Sequence, residues 1–210
     1  MLGITSNMDV LTAIHQFLNT VRNNDVEIYN EFSFQHELGL FLRQHITDHK
    51  IQFERNVSHF GFNKVNFEKK EIDIAVFKNP DTQRSCVIEL KFPRNGQVPE
   101  TMYSFCKDIS FLEQLVNAGF DSGYFVALAD DKNFYCGNKV DGIYGLFRDE
   151  QEITGTIVKP TGDKDTSVKI NDSYIAKWFS VTAKVKCCII EINGDNQSNL
   201  QQEIGSWCQN

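Results

Sequence analysis

Apolar residues recur at the spacing of an α-helix in three segments of the chain. In residues 8–21 these apolar positions are Val10, Leu11, Ile14, Phe17, Leu18 and Val21. Either Asn7 or Asp9 stands where an N-cap belongs. The pattern returns over residues 33–46 and again over residues 100–118. The chain is therefore predicted to form three amphipathic helices, the first of them at the start of the fold.

Short runs rich in Val, Ile and Phe predict strands between and after these helices. Three of them, at residues 52–60, 72–77 and 86–92, follow the second helix and are separated by turn-forming Gly, Asn, Pro and Asp residues. A fourth, at residues 123–129, follows the third helix. The order helix, three strands, helix, strand indicates an α/β fold. Its strand-helix-strand unit implies that the third and fourth strands are parallel and joined by a right-handed crossover.

Beyond residue 131 the pattern changes to short apolar runs with Gly, Asp and Asn turns between them. Strands of a β-rich extension are predicted at residues 142–147, 153–158, 167–170 and 184–192. The default is one domain. Its parts are an N-terminal helix packed on the core (1–30), the core (31–131), the extension (132–192) and a polar tail (193–210).

Three charged residues interrupt the apolar strands of the predicted core, namely Asp73, Glu89 and Lys91. Unpaired charges out of water are costly, so charges kept among Val and Ile point to chemistry. Side chains two apart in a strand share a face, which groups Glu89 with Lys91, and Asp73 joins them if the strands are neighbours. Two carboxylates beside an ammonium suit Mg²⁺ or Mn²⁺, whose waters can attack a phosphodiester. Lys91 would orient that water or stabilise phosphate charge.

The spacing of Asp73, fifteen further residues and then Glu89-Leu90-Lys91 resembles the signature of the PD-(D/E)xK nuclease superfamily. The resemblance covers residues 31–131, about half of the chain. It implies a restriction-endonuclease-like αβββαβ core, in which a mixed central sheet is flanked by helices. Ile72 stands where the signature has its Pro, a departure that touches no ligand.

The resemblance also implies roles for individual residues. Asp73, Glu89 and Glu37, which precedes the first core strand, would bind the metal together with the backbone carbonyl of Leu90. Lys91 would be the catalytic lysine. The implied cofactor is Mg²⁺, for which Mn²⁺ substitutes. The implied activity is that of an endonuclease acting on double-stranded DNA, and a homodimer would suit the cutting of both strands.

Two other interpretations stay open for the same residues. In the first, Lys91 neutralises Glu89 and Asp73 in a structural ion-pair network that holds no metal. In the second, the chain is a catalytically inactive nuclease-fold module that binds DNA or a protein partner. Metal titration separates an enzyme site from a structural ion pair. The enzyme site should lose Mn²⁺ binding on Glu89→Ala, whereas the ion pair should lose stability instead.

Composition bears on the nucleic-acid partner in two ways. The formal net charge of −7 and a pI near 5.2 argue against a broadly basic coat. Lys and Arg are nevertheless in excess just before the Asp73 strand, where phosphates could approach or where a solvated face could lie. Candidate contacts to DNA are Lys69, Lys70, Arg94 and Lys107. Asp108 and Gln114 could also line the cleft, or could belong to an ordinary polar stripe.

Several other functional classes have no signal in the sequence. The six cysteines include no C-x-x-C pair and no His at zinc spacing, so reduced core thiols are expected. No apolar run approaches the length of a membrane span, and no leader-like apolar stretch begins the chain. A cytoplasmic protein without membrane partners is expected. A Gly-rich phosphate loop is likewise missing, so ATP use is not indicated.

Overall fold

The computed structural model describes residues 9–94, 97–162 and 165–194. In these ranges the α-helices are α1 (Val10–Arg22), α2 (Glu31–His45), α3 (Val98–Asn117) and α4 (Ile143–Arg148). The strands are β1 (Lys50–Asn56), β2 (Glu71–Asn79), β3 (Gln83–Lys91), β4 (Ser122–Ala129), β5 (Ile153–Val158), β6 (Ser167–Tyr174), β7 (Trp178–Ser180) and β8 (Lys186–Asn193). The predicted order of helix, three strands, helix and strand is present. None of the described helices is long and apolar enough to cross a membrane.

A mixed central sheet organises the fold, with the strand order β1-β2-β3-β4-β8-β7. β2 runs antiparallel to both of its neighbours, β1 and β3. β3 and β4, which α3 connects, are parallel, as the strand-helix-strand pattern predicted. β8 returns antiparallel to β4, and β7 closes the other edge beside it. The chain is therefore a mixed α/β protein.

Helices cover both faces of the sheet. On one face, α1 and α2 bury their apolar sides against β2 and β3 residues such as Ile74, Ile88 and Leu90. On the other face lie α3, α4 and the hairpin β5–β6, over residues such as Ala75 and Val87. Successive side chains of β2 and β3 point to opposite faces of the sheet. Because helices cover both faces, these side chains contribute to two apolar layers.

Side-chain caps fix the starts of the first two helices. Asp9 caps α1 by accepting a hydrogen bond from the Thr12 amide at 2.9 Å, as the sequence allowed. Asn30 and Ser33 cap α2 reciprocally, each side chain accepting a hydrogen bond from the other residue's amide. The second cap sets Glu31 as the first helical residue of α2, close to the end of β3.

The predicted strand at residues 142–147 is wrong, because this segment forms α4. Ile143 and Phe147 lie four residues apart and are both buried in the layer around α3, which is the spacing of one helical turn. Gly142 precedes the helix with a φ of 57°, a left-handed value that favours glycine. A short apolar run carries too few positions to tell a strand from a single helical turn.

The remaining boundaries differ less from expectation. The strand predicted at 52–60 ends at Asn56, and residues 57–60 form a 3₁₀ turn. In the predicted β-rich extension, β5 and β6 pair with each other, whereas β7 and β8 belong to the central sheet. The predicted polar tail begins inside β8, and its residues 195–210 lie outside the described residues.

Candidate functional site

Regular strand pairing is interrupted at Asp73, in the middle of the antiparallel part of the sheet. The register between β1 and β2 includes Ile72 and Ile74 but passes over Asp73. The register between β2 and β3 starts at Ile74, which pairs with Ile88. The backbone of Asp73 therefore needs hydrogen-bond partners other than its neighbouring strands.

Side chains from two elements, β3 and α2, supply those partners. The Asp73 amide donates to Glu89 Oε1 at 3.2 Å, and the Asp73 carbonyl accepts from Gln35 Nε2 at 2.9 Å. In return, Asp73 Oδ2 accepts from the Leu90 amide at 2.8 Å. The two carboxylates that the motif predicted to meet are thus brought together across β2 and β3. The backbone itself orients each of them.

The ammonium group of Lys69 lies among three carboxylates. Its Nζ hydrogen-bonds to Glu89 Oε2, is 3.0 Å from Asp108 Oδ1 and is 3.9 Å from Asp73 Oδ1. The Phe111 ring centroid lies 5.7 Å away. Glu89 is fully buried and Asp108 is 2% exposed. A cation held this way compensates carboxylates that have lost their water.

Lys91 lies beside this cluster and shares Asp108 with Lys69. Its Nζ is 2.9 Å from Asp108 Oδ2 and 3.7 Å from Glu31 Oε1, and it donates to the Leu90 carbonyl at 3.2 Å. The contact with Asp108 Oδ2 lacks hydrogen-bond geometry, and this buried oxygen has no hydrogen-bond donor among the described residues. Asp108 therefore links the two lysines by charge, through Oδ1 to Lys69 and through Oδ2 to Lys91.

The acidic residue that α2 brings to the site is Glu31 and not the predicted Glu37. Glu31 Oε2 accepts a hydrogen bond from the Phe92 amide at 3.2 Å, next to Lys91. Gln35 lies one turn further along the same side of α2. Glu37 is about 200° around the helix from Gln35, and its carboxylate lies 3.3 Å from His36 Nδ1.

Burial shifts the protonation equilibria of these groups. It raises the pKa of Asp73 to about 6, against the lowering effect of the Lys69 and Lys91 charges. Burial and the nearby Asp73 carboxylate raise the pKa of Glu89 well above its usual range. Burial alone would lower the pKa of both lysines, but the surrounding carboxylates outweigh it and raise them. Both lysines are therefore cations at neutral pH.

The oxygen donors match a hard divalent cation in kind, although not in spacing. In the described ranges, no group of three or more His, Cys, Asp or Glu side chains is arranged to hold a metal ion directly. The carboxylates of Asp73, Glu89 and Asp108 are spread around the Lys69 ammonium instead. Carboxylate oxygens are what Mg²⁺ and Mn²⁺ prefer, so the donor set matches such an ion in its chemistry. The Leu90 carbonyl faces the Lys91 ammonium.

Of the four residues predicted to contact DNA phosphates, Lys69 is the one that lies among the carboxylates of Asp73, Glu89 and Asp108, here called the acidic cluster. Lys70 is exposed, and Arg94 pairs with Asp130. The Lys107 ammonium lies 2.9 Å from the carboxylate of the residue that precedes Lys69. The predicted basic contacts are thus distributed around the site, and three of them, Lys69, Arg94 and Lys107, already have acidic partners.

An open cleft of about 640 Å³ has Phe92, the residue after Lys91 in the sequence, in its lining. Its charged wall residues carry both signs: Arg94, Lys132, Lys184, Glu27, Asp130 and Asp131. The charged residues of the cleft walls therefore sum to no formal charge, and the lining includes none of Lys69, Asp73, Glu89, Lys91 and Asp108.

The sequence pattern did not point to Glu31 or Gln35. The two residues are four apart and lie on one side of α2, but Glu31 precedes the helix that the sequence predicted at residues 33–46. For Asp108 the sequence left two alternatives, a place in the lining of the cleft or in an ordinary polar stripe. The central position of Lys69 was not expected, since nothing in a local sequence indicates that a lysine outside the strand turns inward.

Comparisons with known protein families, with curated proteins and with solved structures found no match. The likeness to PD-(D/E)xK nucleases therefore rests on the spacing of Asp73, Glu89 and Lys91 and on the order of the core elements.

Proposed function

We propose that this protein is a Mg²⁺-dependent DNA endonuclease that hydrolyses phosphodiester bonds. The observation that carries the proposal is the convergence of Asp73, Glu89 and Lys91 at one interruption of the sheet, where burial makes each charge costly. The order of elements around these residues, with α2 before and α3 after the strands that bear them, supports the same interpretation.

The cation would be held by Asp73, Glu89 and Asp108, with Mn²⁺ able to replace Mg²⁺. When bound, it would supply a water of lowered pKa and neutralise charge on the phosphate. The protein's part is to hold these carboxylates in a fixed orientation. The Leu90 amide does so for Asp73, and the Asp73 amide does so for Glu89.

Lys91 would stabilise the negative charge that develops on phosphate oxygens during hydrolysis. Its side chain is 15% exposed, so a phosphate at the surface of the site could reach it. Asp108 and Glu31 hold its ammonium from two elements, which limits the reorganisation needed in the transition state. A lysine held as a cation acts here as an electrostatic group and not as a base.

Double-stranded DNA is the proposed substrate, and a homodimer is the proposed assembly for cutting both strands. Phosphates could approach through the cleft that Arg94, Lys132 and Lys184 line. The acidic residues in the same walls reduce general attraction to polyanions, so we expect binding that depends on a few local contacts.

A structural or binding role is the second candidate, because Lys69 already compensates the carboxylates without a metal. In that case the cluster stabilises a module that binds DNA or a protein partner. Such a module would lose stability when one partner of the network is removed, but it would have no metal-dependent activity to lose.

Plasmid cleavage tests the proposal directly. Supercoiled plasmid and single-stranded DNA are incubated with the protein in Mg²⁺, Mn²⁺ or EDTA, beside Lys91→Ala and Lys78→Ala prepared identically. Lys78 pairs with Asp48 and lies about 17 Å along β2 from Asp73, so it serves as the matched control. We expect nicking or linearisation that needs the metal and falls by about a hundredfold or more in Lys91→Ala.

Equal cleavage by Lys91→Ala and the wild type would remove Lys91 from the mechanism and point to a contaminating nuclease. Folded but inert wild-type protein would favour the binding module. Circular dichroism of each variant establishes that the chain is folded before its activity is compared.

A further inference from the structure

We infer that Lys69 is the resident cation of the acidic cluster, and that a divalent ion binds to Asp73, Glu89 and Asp108 only by displacing its ammonium group. The inference rests on the proposed function, since it concerns the same site. It assigns to Lys69 a role that the sequence did not indicate, which is to exchange with the metal.

The position of the ammonium supports this exchange. Its Nζ touches the Glu89 carboxylate and lies within 3.9 Å of both Asp73 and Asp108, so it stands where the three sets of oxygen atoms face one another. A metal ion must contact its ligands at about 2.1 Å and cannot share that space. Lys69 and the divalent ion therefore exclude each other.

The charges of the site leave room for a divalent ion. When all are ionised, the carboxylates of Asp73, Glu89, Asp108 and Glu31 bring four negative charges, and Lys69 and Lys91 bring two positive ones. The contacts therefore leave two formal negative charges uncompensated. Asp108 Oδ2 faces the Lys91 ammonium at 2.9 Å but accepts no hydrogen bond from the described residues.

Lys69 is also the member of the cluster that is free to leave. Its side chain is 28% exposed, whereas those of Glu89 and Asp108 are 0% and 4% exposed. The backbone before it is anchored to α3, because the Glu68 amide donates to Gln114 Oε1 at 2.7 Å. Displacement therefore requires rotation of a long side chain into water and no movement of the sheet.

Manganese binding without DNA is the first test. Free Mn²⁺ is followed by electron paramagnetic resonance during titration of wild type, Lys69→Met and the matched control Lys78→Met. We expect Lys69→Met to bind Mn²⁺ about tenfold more tightly than wild type, because nothing has to be displaced, and Lys78→Met to match wild type. Equal or weaker binding by folded Lys69→Met, or no binding by either protein, would overturn the inference.

The second test uses the wild-type chain, and so remains decisive if Lys69→Met does not fold. Lysines are acetylated briefly with an N-hydroxysuccinimide ester, with and without Mn²⁺, and quantified by mass spectrometry of peptides. Acetylation of Lys69 should rise several-fold in saturating Mn²⁺, while the exposed neighbour Lys70 should be modified equally in both. Binding of Mn²⁺ that leaves Lys69 as protected as before would contradict the inference.

These readouts do not depend on cleavage. Exchange of Lys69 for Mn²⁺ in a protein that cuts no DNA would support the inference and count against the nuclease. Metal-dependent cleavage with Lys69 still protected would support the nuclease and overturn the inference.

Discussion

At the residue scale, Asp73 shows how a functional side chain can be fixed by its own backbone. Both of its main-chain polar groups are bound by side chains from other elements, Glu89 and Gln35. Because a buried unpaired amide or carbonyl is costly, these contacts stabilise the fold and orient the carboxylates together. The chemistry proposed for the site and the stability of the sheet therefore depend on the same atoms.

Glu89→Ala is expected to lower the free energy of unfolding by about 3 kcal/mol when measured in EDTA. The change removes the fully buried carboxylate that binds Lys69 and the acceptor of the Asp73 amide. The measurement is urea unfolding followed by circular dichroism. Glu71→Ala, an exposed glutamate at the start of β2, is the control and should change stability by less than about 0.5 kcal/mol.

An unchanged or higher stability of Glu89→Ala would mean that the ion pairs do not hold the fold together. The carboxylate would then be retained against stability, which is the situation expected of a catalytic residue. The structural ion-pair network would be excluded as the role of the cluster.

At the scale of elements, α3 joins the site to the hairpin β5–β6. Asp108 on this helix contacts the two lysines of the cluster. Five residues later, the buried carboxylate of Glu113 accepts hydrogen bonds from the amides of Asn171 and Asp172 and from the Tyr174 hydroxyl. One helix thus holds β6 with one side and positions the cluster with another, so the predicted extension packs directly on the core.

Glu113→Ala should destabilise the protein by about 3 kcal/mol, because it leaves two backbone amides of β6 without an acceptor. Urea unfolding measures the loss, and exposed Glu152→Ala is the control. Hydrogen exchange locates the effect: the amides of Asn171 and Asp172 should lose protection more than those of β3. Equal protection in wild type and variant would show that Glu113 is not what holds the hairpin.

At the scale of the whole molecule, the sheet divides the interior into two apolar layers, and buried cysteines lie in both. Cys106 and Cys188 belong to the layer around α3, and Cys86 and Cys187 to the layer under α1 and α2. Burial raises the pKa of each of these thiols, to about 12 for Cys188. All four should therefore report on the opening of the interior.

Alkylation by iodoacetamide at pH 8 should modify the exposed Cys136 at least about a hundredfold faster than these four. The four buried thiols should react more slowly because the thiolate is the reactive form, and a raised pKa means less thiolate at a given pH. Raising the pH should therefore speed their alkylation. Peptide mass spectrometry resolves the sites and follows Cys208 separately. In urea, both layers should become reactive together if the domain unfolds cooperatively, and separate transitions would contradict a single cooperative unit.

The order of the core elements was predictable because it depends on hydrophobic patterns between neighbouring residues. The periodicities of α1, α2 and α3 and the apolar runs of β2, β3 and β4 are properties of neighbouring residues. The parallel pairing of β3 with β4 followed from the helix between them. The failure at α4 occurred where a run of six residues was too short for its period to be read.

The sequence by itself determined which strands carry charge and therefore that Asp73, Glu89 and Lys91 should meet, since alternation and the cost of burial are local rules. Only the tertiary structure decided that Glu31 and Gln35 reach the site from α2, that Asp108 joins it from α3, and that Lys69 fills its centre. These contacts join segments up to 61 residues apart. They depend on where each helix packs against the sheet, and the hydrophobic periodicity of the sequence does not determine that position.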